Sequence, residues 1–352
     1  MLGEVQKPFP AGRILVRAAN WVGDAVMSLP AIRAVRERFP DARLAVLARP
    51  WVAGLYARER AIDEVIRYTA PGGWRNWRAR REAARGLRDF DCAILLPNSF
   101  DAALVAWMAG IGARIGYRRD GRGWLLTHPV PPPGPGETPR HERFYYLELL
   151  RRAGLLDRYP PCASIRLDGI GEARAAGRER LRQAGLEGAV IGVSPGAAYG
   201  GAKRWPAGRF AAAAALVAAE TGGSVALFGS AAEREICREV AAGIEAPVRS
   251  FAGETRLEEF VDLAAACAVF LTNDSGSMHV AAALGVPTVA VFGATDDTTT
   301  GPAGAAARVV REQVACSPCL LRECPIDHRC MTRVTAERVA AAALELLRGS
   351  TN

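Results

Sequence analysis

Residues Arg13–Pro40 read RILVRAANWVGDAVMSLPAIRAVRERFP. A short apolar run, Arg13–Ala18, gives way to the polar turn Asn20-Trp21-Val22-Gly23-Asp24. Ile32, Val35, Arg36 and Phe39 then recur at helical spacing. A strand-length apolar run followed by 3.6-residue periodicity reads as a strand feeding a helix. Pro30 sets where that helix starts or kinks, because proline lacks the N–H that an interior turn needs. Arg43–Ala48 and Cys92–Leu96 repeat the strand signal. Strands alternating with helices predict a parallel sheet with crossover helices, an α/β fold.

The alternation resumes in the second half. Ala189–Val193, Ser224–Phe228, Val269–Thr272 and Thr288–Phe292 read as strands. Arg209–Glu220, Ala232–Ala242, Leu257–Ala266 and Met278–Leu284 read as helices, giving a second doubly wound domain. Between the halves, Gly121–Pro139 contains PPPGPGETP and reads as a loop. Phe144, Leu147 and Leu150 follow at helical spacing, so the boundary is expected later, within Ser164–Gly188. The expected domains are 1–175 and 176–352, with the last helix, Thr335–Leu347, available to pack back on the first. A chain of 352 residues, half of them hydrophobic, is more than one core usually holds.

Neither 7% aromatic nor 23% charged residues fits a disordered or fibrous chain. No run of 18 apolar residues predicts a membrane-spanning helix. MLGEVQKPFPAG lacks the apolar stretch of a signal peptide, so a cytoplasmic location is expected. Residues 1–150 hold 23 Lys+Arg against 15 Asp+Glu, and the rest hold 22 of each. That asymmetry suits an anionic partner for the first half, although arginine-rich coding bias produces the same count. Cys92, Cys162, Cys237 and Cys267 lie in apolar surroundings and read as buried thiols. Cys316, Cys319, Cys324 and Cys330 form C-x2-C-x4-C-x5-C with His328 nearby. This spacing fits either a structural zinc site or a loop of reduced thiols, and the thiol reading is preferred.

Three segments that follow strands carry the chemistry. In an open α/β sheet such carboxyl-end segments face the ligand crevice. In Asn20–Asp24, Gly23 permits a tight turn, and Asp24 at a helix start suits either a general base or a helix cap; the two roles can coexist. Ser194–Pro206, SPGAAYGGAKRWP, combines small residues with Lys203 and Arg204, which suits a diphosphate, though a mobile basic loop reads the same way. Thr272–His279 concentrates polar groups at a helix N-terminus, where anions are favoured. Asp274 would repel phosphate there, and fits better bonded to a sugar hydroxyl or to backbone amides; capping by Asp274 or Ser275 is the alternative. His279 alone fits a packed, hydrogen-bonded histidine. Neither G-x-G-x-x-G after a first strand nor a P-loop is present.

Taken together, NWVGD, SPGAAYGGAKRWP, FGSAAERE, NDSGSMHVAAALGVP, FGATDDTTTGP and CSPCLLRECPIDHRCM resemble the motifs of the type II ADP-heptose:lipopolysaccharide heptosyltransferases, in that order. The resemblance runs from Arg13 to the last helix. It departs at Ala294, where proline is frequent, and at the Pro-rich loop near Pro131. It implies a GT-B fold, two Rossmann-like doubly wound domains facing an interdomain cleft. It also implies inverting transfer of L-glycero-D-manno-heptose from ADP-heptose to the first heptose of the lipopolysaccharide inner core. Neither a metal nor a cofactor is implied, and no Asp-x-Asp motif is present.

By the same resemblance Asp24 is the general base, and Lys203 binds the diphosphate and stabilises the leaving ADP. Ser194 and Ala197 line the phosphate loop, Glu233 holds the ribose and Thr255 lies beside the adenine. Asp274, Ser275, Gly276 and His279 surround the donor sugar and its phosphates. Because lipid A and the inner core carry phosphates and carboxylates, Arg114, Arg118, Arg119 and Arg122 are expected on the acceptor face. Peripheral contact with the inner face of the inner membrane goes with this reading, and nucleic acid is not an expected partner. The same enzyme acting on another acceptor is an alternative. From other classes, a basic nucleic-acid-binding protein with a zinc knuckle leaves the three strand-end segments unexplained. A sugar-nucleotide epimerase or dehydrogenase lacks its nicotinamide fingerprint.

Overall fold

The structure is a computed structural model describing residues 12–70, 76–160 and 164–349. Its contacts divide the chain into two compact units, Met1–Ala163 and Ser164–Asn352.

In the first unit the order is β1 (Arg13–Arg17), α1 (Val22–Met27), α2 (Leu29–Arg38), β2 (Arg43–Ala48), α3 (Pro50–Ala53), β3 (Glu64–Arg67), α4 (Trp77–Arg85), β4 (Cys92–Leu95), α5 (Phe100–Met108), β5 (Ala113–Tyr117), β6 (His128–Val130) and α6 (Arg143–Arg152). The strands form one parallel sheet ordered β3-β2-β1-β4-β5-β6. Central strands are buried on both faces, which is why β1, β2 and β4 read as continuous apolar runs. Pro30 sits in the first turn of α2, where no N–H is required. The segment read as a loop at Gly121–Pro139 also contributes β6. Its Pro129 is tolerated because β6 is an edge strand, with no neighbour beyond it to need the missing donor.

The second unit runs α7 (Ile170–Gln183), β7 (Val190–Ser194), α8 (Ala207–Thr221), β8 (Ser224–Leu227), α9 (Arg234–Ala242), β9 (Val248–Ser250), α10 (Leu257–Ala265), β10 (Val269–Asn273), α11 (Gly276–Ala283), β11 (Thr288–Phe292), α12 (Asp297–Thr300), β12 (Ala307–Arg311), α13 (Arg329–Thr332) and α14 (Ala336–Gly349). Its sheet is parallel, ordered β12-β11-β10-β7-β8-β9. In both sheets strand order reverses direction beside the first strand, the topological switch point of a doubly wound fold.

The unit boundary at 163/164 lies before the expected 175/176, because α7 packs along α10 of the second unit. Gly177 makes this possible: a Cβ there would run into the backbone carbonyl of Asp262. The apolar face of α14 is covered by α8 and by β10–β12 of the second unit. Cys92, Cys237 and Cys267 are buried, and burial pushes the Cys237 thiol up to about 12. Cys162 lies outside the described residues.

Candidate active site

In the second unit, the segments after β7, β10 and β11 converge at the carboxyl ends of three adjacent strands. Asn273, the fully buried last residue of β10, pins the segment after β7 at both ends. Its Nδ2 donates to the Pro195 carbonyl at 2.8 Å, and its Oδ1 accepts from the Trp205 N–H at 2.9 Å. Trp205 is itself fully buried, and its indole N–H donates to the Val334 carbonyl at 3.0 Å. Ser277 Oγ donates to Ser194 Oγ at 2.8 Å and lies 2.7 Å from Ser275 Oγ, joining the β7 and β10 segments by hydroxyls.

Lys203 Nζ projects from this pinned segment and lies 2.5 Å from Asp274 Oδ2. Thr295, after β11, donates its hydroxyl to the same oxygen at 2.6 Å. Asp274 is therefore bonded to a cation and a hydroxyl rather than to backbone amides. Lys203 also lies over the Tyr199 ring, 4.8 Å from its centroid. Ala197 and Ser194 are buried in the segment, and Gly276 opens α11 behind an N-cap at Ser275. His279 is buried on α11.

Glu233 closes a capping box, accepting from the Ser230 N–H at 2.7 Å and from its hydroxyl at 2.8 Å. Its carboxylate occupies the space a Cβ would take at Gly196, so the glycine lets the carboxylate sit against the β7 segment. Thr255 is half-buried between β9 and α10.

The cysteine segment braces the Lys203 segment. Gly201 N–H donates to Glu323 Oε1, Ala202 N–H to the Arg322 carbonyl, His328 Nε2 to the Ala202 carbonyl and Tyr199 OH to the Leu320 carbonyl, each at 2.9 Å. Cys316, Cys319, Cys324 and Cys330 line one small cavity with Ala202, Ala294 and His328. Among the described residues no group of three or more His, Cys, Asp or Glu is arranged to hold a metal ion.

In the first unit Asp24 is the third residue of α1, and Trp21 occupies the cap position. The capping role is thus corrected: Asp24 lies inside the first turn rather than at the cap. The turn is held by Arg17, buried, whose guanidinium donates to Asn20 Oδ1 at 2.9 Å and to the Ala18 carbonyl at 2.9 Å. Trp51 Nε1 donates to the Asn20 carbonyl at 2.8 Å. Burial, with the Asp24 charge second, pushes the Glu142 carboxyl up to about 7. Both carboxylates also act on buried Tyr146, so they share one neighbourhood.

Two of the four expected acceptor arginines are engaged with backbone carbonyls, one of them fully buried. Arg122 is fully buried, its guanidinium donating to the carbonyls of Tyr117 at 3.0 Å and Ser99 at 3.2 Å and to that of Pro97. Burial lowers it to about 10, so it stays charged. Arg114 is half-buried and donates to the Leu125 carbonyl at 2.7 Å. Both arginines thus supply donors to carbonyls of the turns and element ends around them. Arg118 and Arg119 are exposed.

Sequence reasoning did not assign roles to Arg17, Glu142, Asn273, Thr295 or the bracing Glu323 and His328. A signal existed for Asn273, inside a quoted motif. Thr295, Glu323 and His328 also lie inside quoted motifs, but their partners are distant in sequence; Arg17 and Glu142 lie outside those motifs.

A family model for glycosyltransferase family 9 (heptosyltransferase) matches residues 80–329. The lipopolysaccharide heptosyltransferase 2 of Escherichia coli K12 is 36% identical over 309 residues, 85% of this chain and 88% of that protein. The lipooligosaccharide heptosyltransferase 2 of Haemophilus ducreyi is 30% identical over 318 residues, 85% of this chain and 88% of that protein. The solved structure of the E. coli ADP-heptose lipopolysaccharide heptosyltransferase II superposes with a TM-score of 0.81 at 33% identity, covering 97% of this chain and all of that one. A family 9 glycosyltransferase from Veillonella parvula shares the fold, with a TM-score of 0.82 at 24% identity over 96% of this chain and 97% of that one. With its two Rossmann-like units of the GT-B class, the chain belongs to glycosyltransferase family 9, the heptosyltransferases.

Proposed function

We propose that this chain transfers L-glycero-D-manno-heptose from ADP-heptose to the first heptose of the lipopolysaccharide inner core, with inversion and without a metal. The observation that carries this reading is Lys203, held 2.5 Å from Asp274 on a doubly pinned and braced segment at the carboxyl end of β7. A cation so placed meets a diphosphate with its position already set. In the reaction the acceptor hydroxyl oxygen attacks the anomeric carbon, and the bond from that carbon to the diphosphate oxygen breaks. The hydroxyl proton passes to Asp24, and ADP leaves with its new charge facing Lys203. The N-terminus of α11, opened by Gly276, adds backbone N–H groups suited to phosphate. Glu233 holds the ribose and Thr255 borders the adenine, while Ser194, Ala197, Ser275 and His279 line the phosphates and donor sugar. The chain works on the cytoplasmic side of the inner membrane, where its glycolipid acceptor is exposed.

The test pairs ligand binding with turnover. ADP should raise the melting temperature more than UDP, GDP or NAD, and Lys203→Met should abolish that gain. Asp24→Asn should keep the melting temperature and ADP binding but lose at least about a hundredfold in kcat, as removal of a general base does. A clear preference for UDP would remove the heptosyl donor. Near-normal turnover of Asp24→Asn would remove the base assignment.

A further inference from the structure

The first unit exposes an aromatic cluster that donor chemistry does not use. Phe100, Leu104 and Trp107 lie at i, i+4 and i+7 on α5, one stripe of that helix. Trp124, on the short 3₁₀ turn Gly123–Leu125, lies against both ends of the stripe. Its ring centroid is 6.2 Å from that of Phe100 and 6.4 Å from that of Trp107. Exposure is 41% for Phe100, 46% for Trp107 and 69% for Trp124, so three touching rings face solvent together.

The patch is rigidly built. Leu125 is fully buried beneath the turn, and the buried Arg122 guanidinium ties the turn to the carbonyls of Pro97 and Ser99. Ser99 is the cap residue of α5, so one side chain fixes both the turn and the helix start. Exposed Arg118 and Arg119 precede the turn on the same strand-end segment.

Exposed rings clustered in this way mark an interaction surface rather than scattered surface hydrophobics. Tryptophan, apolar in body with a polar N–H, suits the headgroup level of a bilayer, and arginines are drawn to anionic lipid phosphates. Position narrows the partner. Strand order runs β1-β4-β5, so the segments bearing Phe100 and Trp124 follow the next two strands on one side of β1, whose own following segment bears Asp24. Neighbouring parallel strands are about 4.8 Å apart, which puts aromatic patch and base on one edge of one sheet. A glycolipid whose chains stay in a bilayer while its sugar reaches Asp24 needs this adjacency.

We propose that Phe100, Trp107 and Trp124, flanked by Arg118 and Arg119, are the surface by which this chain rests on an anionic phospholipid bilayer; this deepens the lipid-borne acceptor reading above and rests on it. The full chain should cosediment with vesicles of phosphatidylethanolamine and phosphatidylglycerol, and much less with phosphatidylcholine vesicles. Trp107→Ser combined with Trp124→Ser should weaken that binding at least about tenfold, since two interfacial rings are lost. The double variant should keep its melting temperature and its turnover on a deacylated, water-soluble acceptor sugar. Trp124→Phe should retain most of the vesicle binding. Equal binding by wild type and double variant overturns the proposal, as does failure of the wild type to bind anionic vesicles. A wild-type dimer that the double variant breaks, seen by analytical ultracentrifugation, overturns it in favour of a second copy. Absence of heptose transfer to the soluble sugar by the wild type sinks the acceptor reading instead, and leaves the vesicle result to stand or fall alone.

Discussion

A carboxylate beside the proposed diphosphate site is unfavourable unless a cation faces it, and Lys203 faces Asp274. The two are 71 residues apart in sequence, so their pairing has no local signature. Residue types and turn positions were legible in the sequence, while who bonds whom across the sheet was not. Asn273, which ties Pro195 to Trp205, is hidden for the same reason. Glu142 extends this to titration. Its carboxyl is held at about 7 in the folded chain, first by burial and then by Asp24, against an ordinary 4.5. Between those values the folded chain binds a proton that the unfolded chain has released. Stability from this group is therefore greatest below 4.5, falls as pH rises and is lost once pH passes about 7. Glu142→Gln removes that loss, so its melting temperature should exceed wild type by an amount that grows between pH 5 and pH 8. A difference that stays flat over this range would show that Glu142 ionises normally.

Elements divide by their place in the sheets. The buried strands β1, β2, β4, β7, β8, β10 and β11 read correctly from apolar runs, to within a residue at each end. Those the sequence did not announce are β3, β5, β6, β9 and β12. Four of them are sheet edges, where Glu64, Arg67, Pro129, Arg249 and Arg308 interrupt the pattern because one side of the strand meets no further strand. The inner strand β5 carries Arg114 and Gly116 instead. Helix α7 was legible as neither part of one domain nor of the other, since its allegiance rests on contact with α10. That contact is close because Gly177 has no side chain, and the obstacle to adding one is the fixed backbone carbonyl of Asp262. Gly177→Ala ordinarily favours a helix through propensity. Here overpacking should outweigh it and cost about 1–3 kcal/mol in urea unfolding. A stabilised Gly177→Ala variant would mean that α7 and α10 do not pack this tightly.

At the scale of the molecule, charge is partitioned along the chain. Residues 1–150 carry 23 Lys+Arg against 15 Asp+Glu, and the remainder is balanced at 22 each. Much of that excess is not free to meet a partner. Arg17 and Arg122 are buried on backbone carbonyls, and Arg80 is buried against Asp101 at 2.6 Å. Exposed charges such as Arg118 and Arg119 are what a phosphorylated acceptor can meet, whereas Lys203, paired with Asp274, is the cation proposed for the donor diphosphate. Attraction between exposed charges is screened within about 8–10 Å at physiological salt, so its contribution must fall as ionic strength rises. Reversing both arginines, Arg118→Glu with Arg119→Glu, should raise the acceptor KM at low salt at least about tenfold, because each basic side chain near an anionic surface contributes ~1 kcal/mol. The same variant should flatten the rise of acceptor KM with salt and leave the Kd for ADP unchanged. Steady-state kinetics on a phosphorylated acceptor across a salt series, with ADP affinity by calorimetry, reads all three. If ADP affinity drops while the acceptor KM holds, these arginines serve the donor, and the basic first unit is not the acceptor side.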